Sequence, residues 1–396
     1  MLGEPFQPDN RLLEPFQSRS RPQLIYGPGC VARLGEVCRE LGAERIAVIT
    51  DRGLRAAGHA DRVEAVLTDA GGRVSVYDEA SENPTEDDAE RCARWLRHVQ
   101  PQLIVGLGGG SAMDCAKAGN FLLTNGGQMR DYWGYGRAQR PLLPMVLIPT
   151  TGGTGSEAQS YALIAHRETH QKMACGDPSA AARIAVLDPE LTLSCPPAVT
   201  AQAGMDALVH AIESYVCTRA NPLSRWYAAG AFRYLARGFP GVLRSPESLP
   251  HRAAMLWGAH LAGAAIEHAM LGAAHAAANP LTARFGVAHG AAVALMIPHV
   301  IDYNAVVAES EYAELLSAAG VPMEPSEPAS ASLRRRLEHW AQMAGLPRTL
   351  SSFGICDHDI AMLAAEAAEQ WTAKFNPRPI DAAGFQTLYR AALSPS

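Results

Sequence analysis

The sequence predicts two domains: an α/β N-terminal domain in residues 1–195 and an all-helical, or all-α, C-terminal domain in residues 196–396. Three observations predict this division. Short apolar runs alternate with amphipathic stretches in the first half, as expected for strands joined by crossover helices in a mainly parallel sheet. Alanine-rich segments with an apolar repeat of about 3.6 residues fill the second half. The length of 396 residues also exceeds what one hydrophobic core usually supports.

In the N-terminal half, four apolar segments that end near turn residues predict buried strands. They are RIAVITD (45–51), PQLIVGLGGG (101–110), PLLPMVLIPTT (141–151) and ARIAVLDPE (182–190). The segment EDDAERCARWLRHV (86–99) predicts a helix, because it has helical spacing and follows the break at Asn83 and Pro84.

The change from alternating strand and helix patterns to alanine-rich helical patterns begins at the proline pair in SCPPAVTA (194–201). Five later segments predict helices: AQAGMDALVHAIESYV (201–216), SRWYAAGAFRYLARG (224–238), HRAAMLWGAHLAGAAI (251–266), SLRRRLEHWAQMAG (332–345) and DIAMLAAEAAEQW (359–371). The proline-rich segment VPMEPSEPAS (321–330) predicts a surface loop between helices.

Composition and charge exclude several classes of protein. A net charge of -6 and scattered arginines leave no basic footprint for nucleic acid. No apolar run approaches the roughly 20 residues that span a bilayer, and the amino terminus MLGEPFQPDN lacks the features of a secretory signal. The eight cysteines are dispersed, which is typical of reduced thiols. We therefore expect a cytoplasmic protein that binds a small molecule, and neither nucleic acid nor membrane.

A glycine-rich turn in LIVGLGGGSAMDCAKA joins a predicted strand to a predicted helix. Its small residues let backbone N–H groups approach a pyrophosphate, and the positive end of the helix dipole adds to the attraction. These residues are Gly106, Gly108, Gly109, Gly110 and Ser111. Ser111 stands where the strict G-x-G-x-x-G pattern has its last glycine. The turn predicts a dinucleotide site, and a tight turn without a ligand is the alternative.

Asp51 closes the RIAVIT strand, where a carboxylate can accept hydrogen bonds from an adenosine ribose and repel a 2′-phosphate. This interpretation favours NAD over NADP; a helix cap is the alternative. A second small-residue turn, PTTGGTGSE (149–157), follows another predicted strand, and we expect it to line the same cleft. Its hydroxyl groups belong to Thr150, Thr151, Thr154 and Ser156.

One aspartate and three histidines predict a metal site. Asp206 and His210 stand four residues apart on a helical pattern and so share one face. His275 and His289 flank a proline and glycine break, so that two helices could present them to one point. Each histidine alone is more typical of a core or surface position, and the prediction depends on the combination. One oxygen and three nitrogen donors without a thiolate suit divalent iron or zinc.

Taken together, these motifs resemble the iron-containing, or group III, alcohol dehydrogenases, whose fold is similar to that of dehydroquinate synthase. The motifs are GGGSAMDCAK (108–117), LIPTTGGTGSE (147–157), DPELTLSCPP (188–197), AGMDALVHAIESY (203–215), and LGAAH with AHG (271–275 and 288–290). They occur in the family's order. The resemblance implies a dinucleotide-binding N-terminal domain, a metal-binding C-terminal domain, a catalytic cleft between them, and a homodimer or larger homo-oligomer.

The resemblance also implies roles for matching residues. The cofactor, NAD with NADP as the other possibility, is expected to contact Asp51, Asn83, Gly108, Gly109, Gly110, Ser111, Asp114, Thr150, Thr151, Thr154 and Lys172. Asp206, His210, His275 and His289 match all four metal ligands of the family and are therefore expected to be catalytic.

Asn279 departs from the family pattern. Its alcohol dehydrogenases commonly have H-x-x-x-H beginning at the position of His275, and the second histidine is implicated in moving the alcohol proton. Asn279 cannot titrate near neutral pH, so its catalytic role would be limited to orienting a water or a hydroxyl group. Unless the chain bends sharply near Gly272, His268 is no direct substitute, because eleven residues of continuous helix would span roughly 16 Å at about 1.5 Å per residue.

The leading hypothesis is reversible hydride transfer between an alcohol and NAD at a metal centre, with an alcohol or aldehyde as the substrate. Ser160, Tyr161 and Ile266 fall near substrate positions of relatives, and Glu267 and His268 add polarity nearby. Two alternatives remain. One is a dinucleotide-binding homologue with weakened or no turnover. The other is a cyclase similar to dehydroquinate synthase, which the Asp-x-x-x-His pair disfavours.

Overall fold

The computed structural model describes residues 22–169, 171–324 and 326–393. Its strands are β1 (Gln23–Tyr26), β2 (Arg45–Ile49), β3 (Arg73–Tyr77), β4 (Leu103–Gly108), β5 (Gly134–Tyr135), β6 (Met145–Pro149), β7 (Tyr161–Ala165), β8 (Lys172–Gly176) and β9 (Ile184–Leu187). Six of them form a sheet in the order β1-β9-β6-β4-β2-β3. Every neighbouring pair in it is parallel, which confirms the predicted mainly parallel sheet.

Helices cover both faces of this sheet. They are α1 (Leu34–Glu40), α2 (Arg52–Ala56), α3 (His59–Asp69), α4 (Glu86–Val99) and α5 (Gly110–Asn125). In β2, Ile46 and Val48 pack with α1 and α3, whereas Ala47 and Ile49 pack with α4 and α5. Successive side chains of a strand point to opposite faces, so a strand that is covered on both faces is apolar throughout. The α/β prediction for this half is confirmed, and α4 matches the helix predicted at 86–99.

The direction in which the chain crosses the sheet changes between β2 and β4. From β2 the chain continues to β3 on one side, and from β4 it continues to β6 on the other. In such sheets, ligands bind outside the carboxyl ends of the strands at this point. Asp51 follows the end of β2 and Gly109 follows the end of β4. Both therefore lie at the edge of the sheet where this architecture favours a ligand.

A smaller sheet, in the order β5-β8-β7, was not predicted. Its strands β7 and β8 pair antiparallel, whereas β5 and β8 pair parallel. The β8 sequence, KMACG, begins with a charged residue and shows no alternating pattern, so that tertiary packing rather than local preference makes it a strand. This hairpin places Tyr161, Leu163 and Lys172 beside the cavity described below.

The C-terminal half is helical and contains no strand among its described residues. Its helices are α6 (Pro197–Val216), α7 (Pro222–Arg244), α8 (Leu249–His268), α9 (Ala273–Phe285), α10 (His289–Ala318), α11 (Ala329–Met343), α12 (Asp357–Ala368) and α13 (Ala382–Leu393). They surround one hydrophobic core. The five predicted helices correspond to α6, α7, α8, α11 and α12, although α11 already begins inside the predicted loop. The exact domain boundary at residues 195 and 196 stays a prediction.

Within the described residues, α10 is the one helix that is long and apolar enough to cross a membrane, with a mean hydropathy of 1.5 in its most apolar window. Polar residues such as Asp302 interrupt the run, which is why the sequence showed no continuous apolar stretch. Inside the protein, 67% of that window is buried, as in a core helix. The segment MLGEPFQPDN lies outside the described residues.

The two halves meet where the second small-residue turn packs on α8. A Cβ atom added to Gly155 would lie 2.5 Å from the carbonyl oxygen of Ala259, and one added to Gly263 would lie 2.3 Å from the carbonyl oxygen of Gly155. Gly155 also has a φ of +60°, a conformation that favours glycine. Domain packing therefore explains a glycine on each side of this contact.

Candidate functional site

A cavity of about 930 Å³ lies between the carboxyl ends of the large sheet and the helical half. Most of the predicted site residues line it: Asp51, Asn83, Gly109, Gly110, Ser111, Asp114, Thr150, Thr151, Thr154, Lys172, Asp206, His210, His275 and His289. Gly108 and Asn279 are outside this lining. The predicted cofactor residues and the predicted metal ligands thus face one space, although they are far apart in the sequence.

The four predicted metal ligands converge from three helices. On α6, Asp206 Oδ1 lies 3.4 Å from His210 Nε2, one turn further along. His275, in the first turn of α9, brings its Nε2 to 3.3 Å from the same oxygen. His289, the first residue of α10, has its Nε2 at 3.8 Å. The break between α9 and α10 confirms that two helices present these two histidines.

These four side chains fit a divalent cation. Donors that bind one tetrahedral ion at about 2.1 Å lie about 3.4 Å apart, close to the separations of the ring nitrogens from Asp206 Oδ1. Asp206, His210 and His275 are buried and form a group with metal-binding spacing, and the rings of His210 and His275 stack with centroids 4.8 Å apart. The donor set of one carboxylate and three imidazoles suits iron or zinc.

The electrostatics of the cluster favour positive charge beside Asp206. Burial works against the carboxylate, but the imidazoles outweigh it and lower the pKa of Asp206. Burial lowers the pKa of His210 to about 4, and burial together with Lys172 lowers the pKa of His289. Both rings are therefore neutral near pH 7, as metal ligands must be. For His275, burial is outweighed by hydrogen bonds to Asp206 and Glu213, which raise its pKa to about 9.

Glu213 is a buried carboxylate that the sequence analysis did not select. Its Oε2 lies 2.6 Å from His275 Nδ1, on the far side of the ring from Asp206. The same carboxylate accepts hydrogen bonds from the backbone N–H groups of Gly272 and Ala274 at 3.0 and 2.7 Å. The sequence signal that could have identified Glu213 is its spacing, because it lies three residues after His210 on α6 and shares its side of the helix.

The first glycine-rich turn places the amino terminus of α5 at the cavity, where a ligand can reach it. Gly108 has a φ of +150°, and a Cβ atom there would lie 2.7 Å from Ala112 Cβ. A Cβ atom on Gly110 would lie 2.7 Å from Thr154 Cγ2, so the two small-residue turns are in contact. Gly109, the N-cap residue, has no side chain to cover the first amides of α5. This arrangement suits an anion at the helix amino terminus.

Asp51 fits both of its sequence interpretations. Its carboxylate caps α2 by accepting a hydrogen bond from Leu54 N at 3.0 Å, and the residue also lines the cavity. Asn83 lies nearby in a left-handed conformation with a φ of +51°, and its backbone N–H donates to Ser111 Oγ at 3.2 Å. The segment before α4 is thereby fixed to the start of α5.

Two lysines lie at this site: Lys117 is buried and Lys172 is half-buried. Lys117 Nζ has four oxygen atoms within 3.0 Å: the backbone oxygens of Ser156, Gln159 and Tyr161, and Ser156 Oγ. Ser156 Oγ in turn donates to Asp114 Oδ1 at 2.9 Å, and burial raises the pKa of Asp114. Lys172 lines the cavity, and burial lowers its pKa against the opposing effect of Asp206.

The suggested substrate residues separate into two groups. Tyr161 and Ile266 line the cavity, together with Leu163 and Leu271. Ser160 and Glu267 instead bond to each other, with Ser160 Oγ donating to Glu267 Oε1 at 2.6 Å and Ser160 N donating to Oε2 at 2.9 Å. This pair links the α/β half to α8.

His268 is outside the cavity lining that contains the four predicted metal ligands. The helix is not continuous, because α8 ends at His268 and α9 begins at Ala273. The chain therefore has the break near Gly272 that the sequence left open, and the distance of a continuous helix does not apply. The His268 ring stacks on Tyr227, with centroids 5.8 Å apart and an interplanar angle of 7°.

Asn279 lies one helical turn after His275 on α9, where its Nδ2 donates to Gln370 Oε1 at 3.0 Å. Gln370 is buried and donates through Nε2 to the backbone oxygen of Glu366 at 3.3 Å. The position at which relatives commonly have histidine thus holds an amide whose partner is a second amide.

Comparisons with known proteins agree over nearly the whole chain. A model of iron-containing alcohol dehydrogenases matches residues 22–189, and a model of the C-terminal domain of Fe-containing alcohol dehydrogenases matches residues 200–393. The long-chain-alcohol dehydrogenase 1 of Geobacillus thermodenitrificans is 34% identical over 93% of this chain and 94% of its own. The NAD-dependent methanol dehydrogenase of Bacillus methanolicus is 30% identical over 90% of this chain and 94% of its own.

Solved structures show the same architecture. The crystal structure of a 1,3-propanediol oxidoreductase superposes with a TM-score of 0.91 at 29% identity, covering 96% of this chain and all of the other. The sulfoacetaldehyde reductase of Bifidobacterium kashiwanohense, solved with NAD+, shares the fold with a TM-score of 0.85 at 24% identity, covering 97% of this chain and 100% of the other.

Proposed function

The chain belongs to the iron-containing alcohol dehydrogenase family, and from this premise we propose that it transfers a hydride reversibly between an alcohol and NAD at a divalent metal site. The observation that carries the proposal is the shared cavity, in which Asp206 and three imidazoles face the glycine-rich turn before α5. At about 930 Å³ the cavity is in the upper part of the usual range for ligand sites, roughly 300–1,000 Å³.

The metal would be held by Asp206, His210, His275 and His289. A bound divalent cation supplies a Lewis acid that polarises the substrate oxygen. Iron and zinc both match the donor set, and the chain's part is to present three imidazole nitrogens and one carboxylate oxygen to one point. His275 Nε2 would lose its proton on metal binding, because a ligating nitrogen must be deprotonated. Asp206 is the group around which the three rings are arranged.

The dinucleotide would lie across the carboxyl ends of β2 and β4. NAD supplies the hydride acceptor. The first amides of α5, at Gly110 and Ser111, would bind the pyrophosphate, and Thr150, Thr151 and Thr154 offer hydroxyl groups beside them. Asp51 would bind the adenosine ribose, and Lys172, which faces the metal ligands, would bind the ribose next to the nicotinamide.

The substrate would occupy the end of the cavity near His275, against Leu163, Ile266 and Leu271. These apolar side chains would exclude water from the reacting carbon and hold the carbon chain of an alcohol or aldehyde. We also propose a cytoplasmic location, in keeping with eight free cysteines, and a homo-oligomer, which light scattering would measure.

The test is aldehyde reduction by the purified protein, followed through the absorbance of NADH. The panel covers short, long-chain and 3-hydroxy aldehydes, and each is assayed after chelation and again with added Fe²⁺ or Zn²⁺. We expect turnover that chelation removes and one of the metals restores. NADH binding without turnover under every condition would favour a dinucleotide-binding homologue that has lost catalysis.

Asp51→Ser is expected to raise kcat/KM for NADPH relative to NADH by about tenfold. Serine keeps the helix cap, but it removes the negative charge that would repel a 2′-phosphate, and tenfold corresponds to about 1.4 kcal/mol. Asp61→Ser is the matched control, because it removes the same charge from an exposed side chain on α3. An unchanged NADPH to NADH ratio would mean that Asp51 serves only as a cap.

Asn279→His is expected to add an ionisation near the ordinary histidine pKa of about 6.5 to the pH profile of kcat/KM. An imidazole one turn from His275 can exchange a proton, which an amide cannot. Gln370→Ala is the control, because it breaks the same amide pair without adding a titratable group. Identical pH profiles for wild type and Asn279→His would remove this position from the proton step.

A further inference from the structure

The first turn of α9 depends on side chains from elsewhere in the fold. Gly272, its N-cap residue, cannot cap the helix with a side chain. Instead, Glu213 accepts hydrogen bonds from Gly272 N at 3.0 Å and Ala274 N at 2.7 Å, and Asn376 Oδ1 accepts one from Ala273 N at 3.3 Å. Two side chains thus satisfy three amides that a helix leaves without internal partners.

Glu213 also fixes the ring of His275. Its Oε2 lies 2.6 Å from His275 Nδ1 and, as a carboxylate, can only accept, so Nδ1 carries the hydrogen. A neutral ring with its hydrogen on Nδ1 has its lone pair on Nε2, the atom that lies 3.3 Å from Asp206 Oδ1. The carboxylate therefore selects the tautomer and the ring orientation that a metal ligand requires.

There is little room for these groups to rearrange. Glu213 is 3% exposed and its two oxygens already have three donors. A Cβ atom on Gly272 would lie 3.1 Å from Glu213 Oε1 and 3.0 Å from Asn376 Oδ1. Glu213 and Asp206 lie on the same helix, α6, seven residues apart and so about two turns along one face.

We propose that Glu213 is a positioning residue that sets the metal affinity of the site, by holding the His275 ring and the first turn of α9 with one carboxylate. This rests on the metal site of the proposed function. Leu271, which lines the cavity, immediately precedes the capped turn, so the same carboxylate also orders part of the wall beside the substrate.

If Glu213 served only as a cap of α9, its loss would affect the metal site no more than the loss of another cap of the same turn. A variant of Asn376 distinguishes this alternative from the proposal. Asn376 caps the same turn and also bonds Asn304 and the backbone oxygen of Arg378, but it has no contact with His275 among the described hydrogen bonds. Asn376→Ala should therefore disturb α9 at least as much as Glu213→Gln does, while leaving the His275 ring with its carboxylate partner.

The experiment measures metal affinity without turnover. Metal-free wild type, Glu213→Gln and Asn376→Ala are titrated with Zn²⁺ and Co²⁺ against a chromogenic chelator, and the absorption spectrum of the Co²⁺ forms is recorded. We expect Glu213→Gln to raise the metal Kd by about 10- to 100-fold and to change the Co²⁺ spectrum. For Asn376→Ala we expect a Kd within about threefold of wild type and a lower Tm of the metal-free protein.

Equal loss of affinity in both variants, or wild-type affinity in Glu213→Gln, would overturn the proposal. Glu213→Asp keeps a carboxylate with a shorter reach; it should recover part of the affinity, and it replaces the glutamine variant if that variant does not fold. Wild-type protein that binds metal but reduces no aldehyde would refute hydride transfer and leave this proposal standing. Wild-type protein that binds no metal would refute both.

Discussion

Asp206→Asn is expected to lower aldehyde reduction by about 10³-fold or more, which corresponds to about 4 kcal/mol of lost transition-state stabilisation. The carboxylate oxygen of Asp206 is the atom around which the Nε2 atoms of three histidines lie at 3.3 to 3.8 Å. Asparagine keeps the shape of the side chain, but it replaces the anionic donor of a buried site by a neutral one. We therefore expect the bound metal of the purified protein to fall together with the activity.

The control for this experiment is a second group of side chains with metal-binding spacing. Cys356, His358 and Asp359 lie at the amino terminus of α12, and His358 is 81% exposed. His358→Ala should leave the activity unchanged and remove only adventitious metal. If Asp206→Asn retained one equivalent of metal and wild-type activity, the cluster around Asp206 would not be the catalytic centre.

Gly263→Ala is expected to destabilise the protein by about 2–3 kcal/mol, because the added methyl group meets a backbone on the other side of the domain contact. Its Cβ would lie 2.3 Å from the carbonyl oxygen of Gly155, far inside van der Waals contact. Gly155 cannot retreat easily, since the next residue, Ser156, is held by two hydrogen bonds from the buried Lys117. The measurement is the urea midpoint of unfolding, followed together with aldehyde reduction.

The same substitution on the neighbouring helix provides a matched control. A Cβ atom on Gly230 of α7 would lie 3.4 Å from Leu261 Cδ1, the end of a flexible side chain. Alanine has the higher helix propensity, so Gly230→Ala should be neutral or stabilising by up to about 1 kcal/mol. Equal urea midpoints for the two variants would mean that the domain contact at Gly155 accommodates the added methyl group without loss of stability.

Features with a local signal were predictable from the sequence. The helix at 86–99 has a capping box, in which Thr85 and Asp88 satisfy each other's backbone groups, together with helical apolar spacing. The break between His275 and His289 contains Gly286, which ends α9 in a left-handed conformation. The prediction that these histidines come from two helices depended on that break.

Other features depend on partners that are distant in the sequence. β8 is a strand because it pairs with β7, and nothing in KMACG alone distinguishes it from a loop. The role of Glu213 becomes visible only when α9 is packed on α6, since its partners lie 59 to 62 residues away. Gly155 belongs to a motif that sequence interpretation assigned to the cleft, whereas the structure shows that it is also where the domains touch.

Lys117 joins α5 to the segment 156–161 through the protein interior. It belongs to α5, whose first residues line the part of the cavity proposed for the coenzyme. Its buried ammonium group binds oxygens of the segment 156–161, which leads to the part proposed for the substrate. Because four hydrogen bonds join the helix to the segment, we expect a shift of one to displace the other. Protein engineering that aims to widen the substrate scope of the proposed activity should therefore begin from Ile266 on α8, since we expect a change at Tyr161, whose backbone oxygen binds Lys117, to disturb α5 as well.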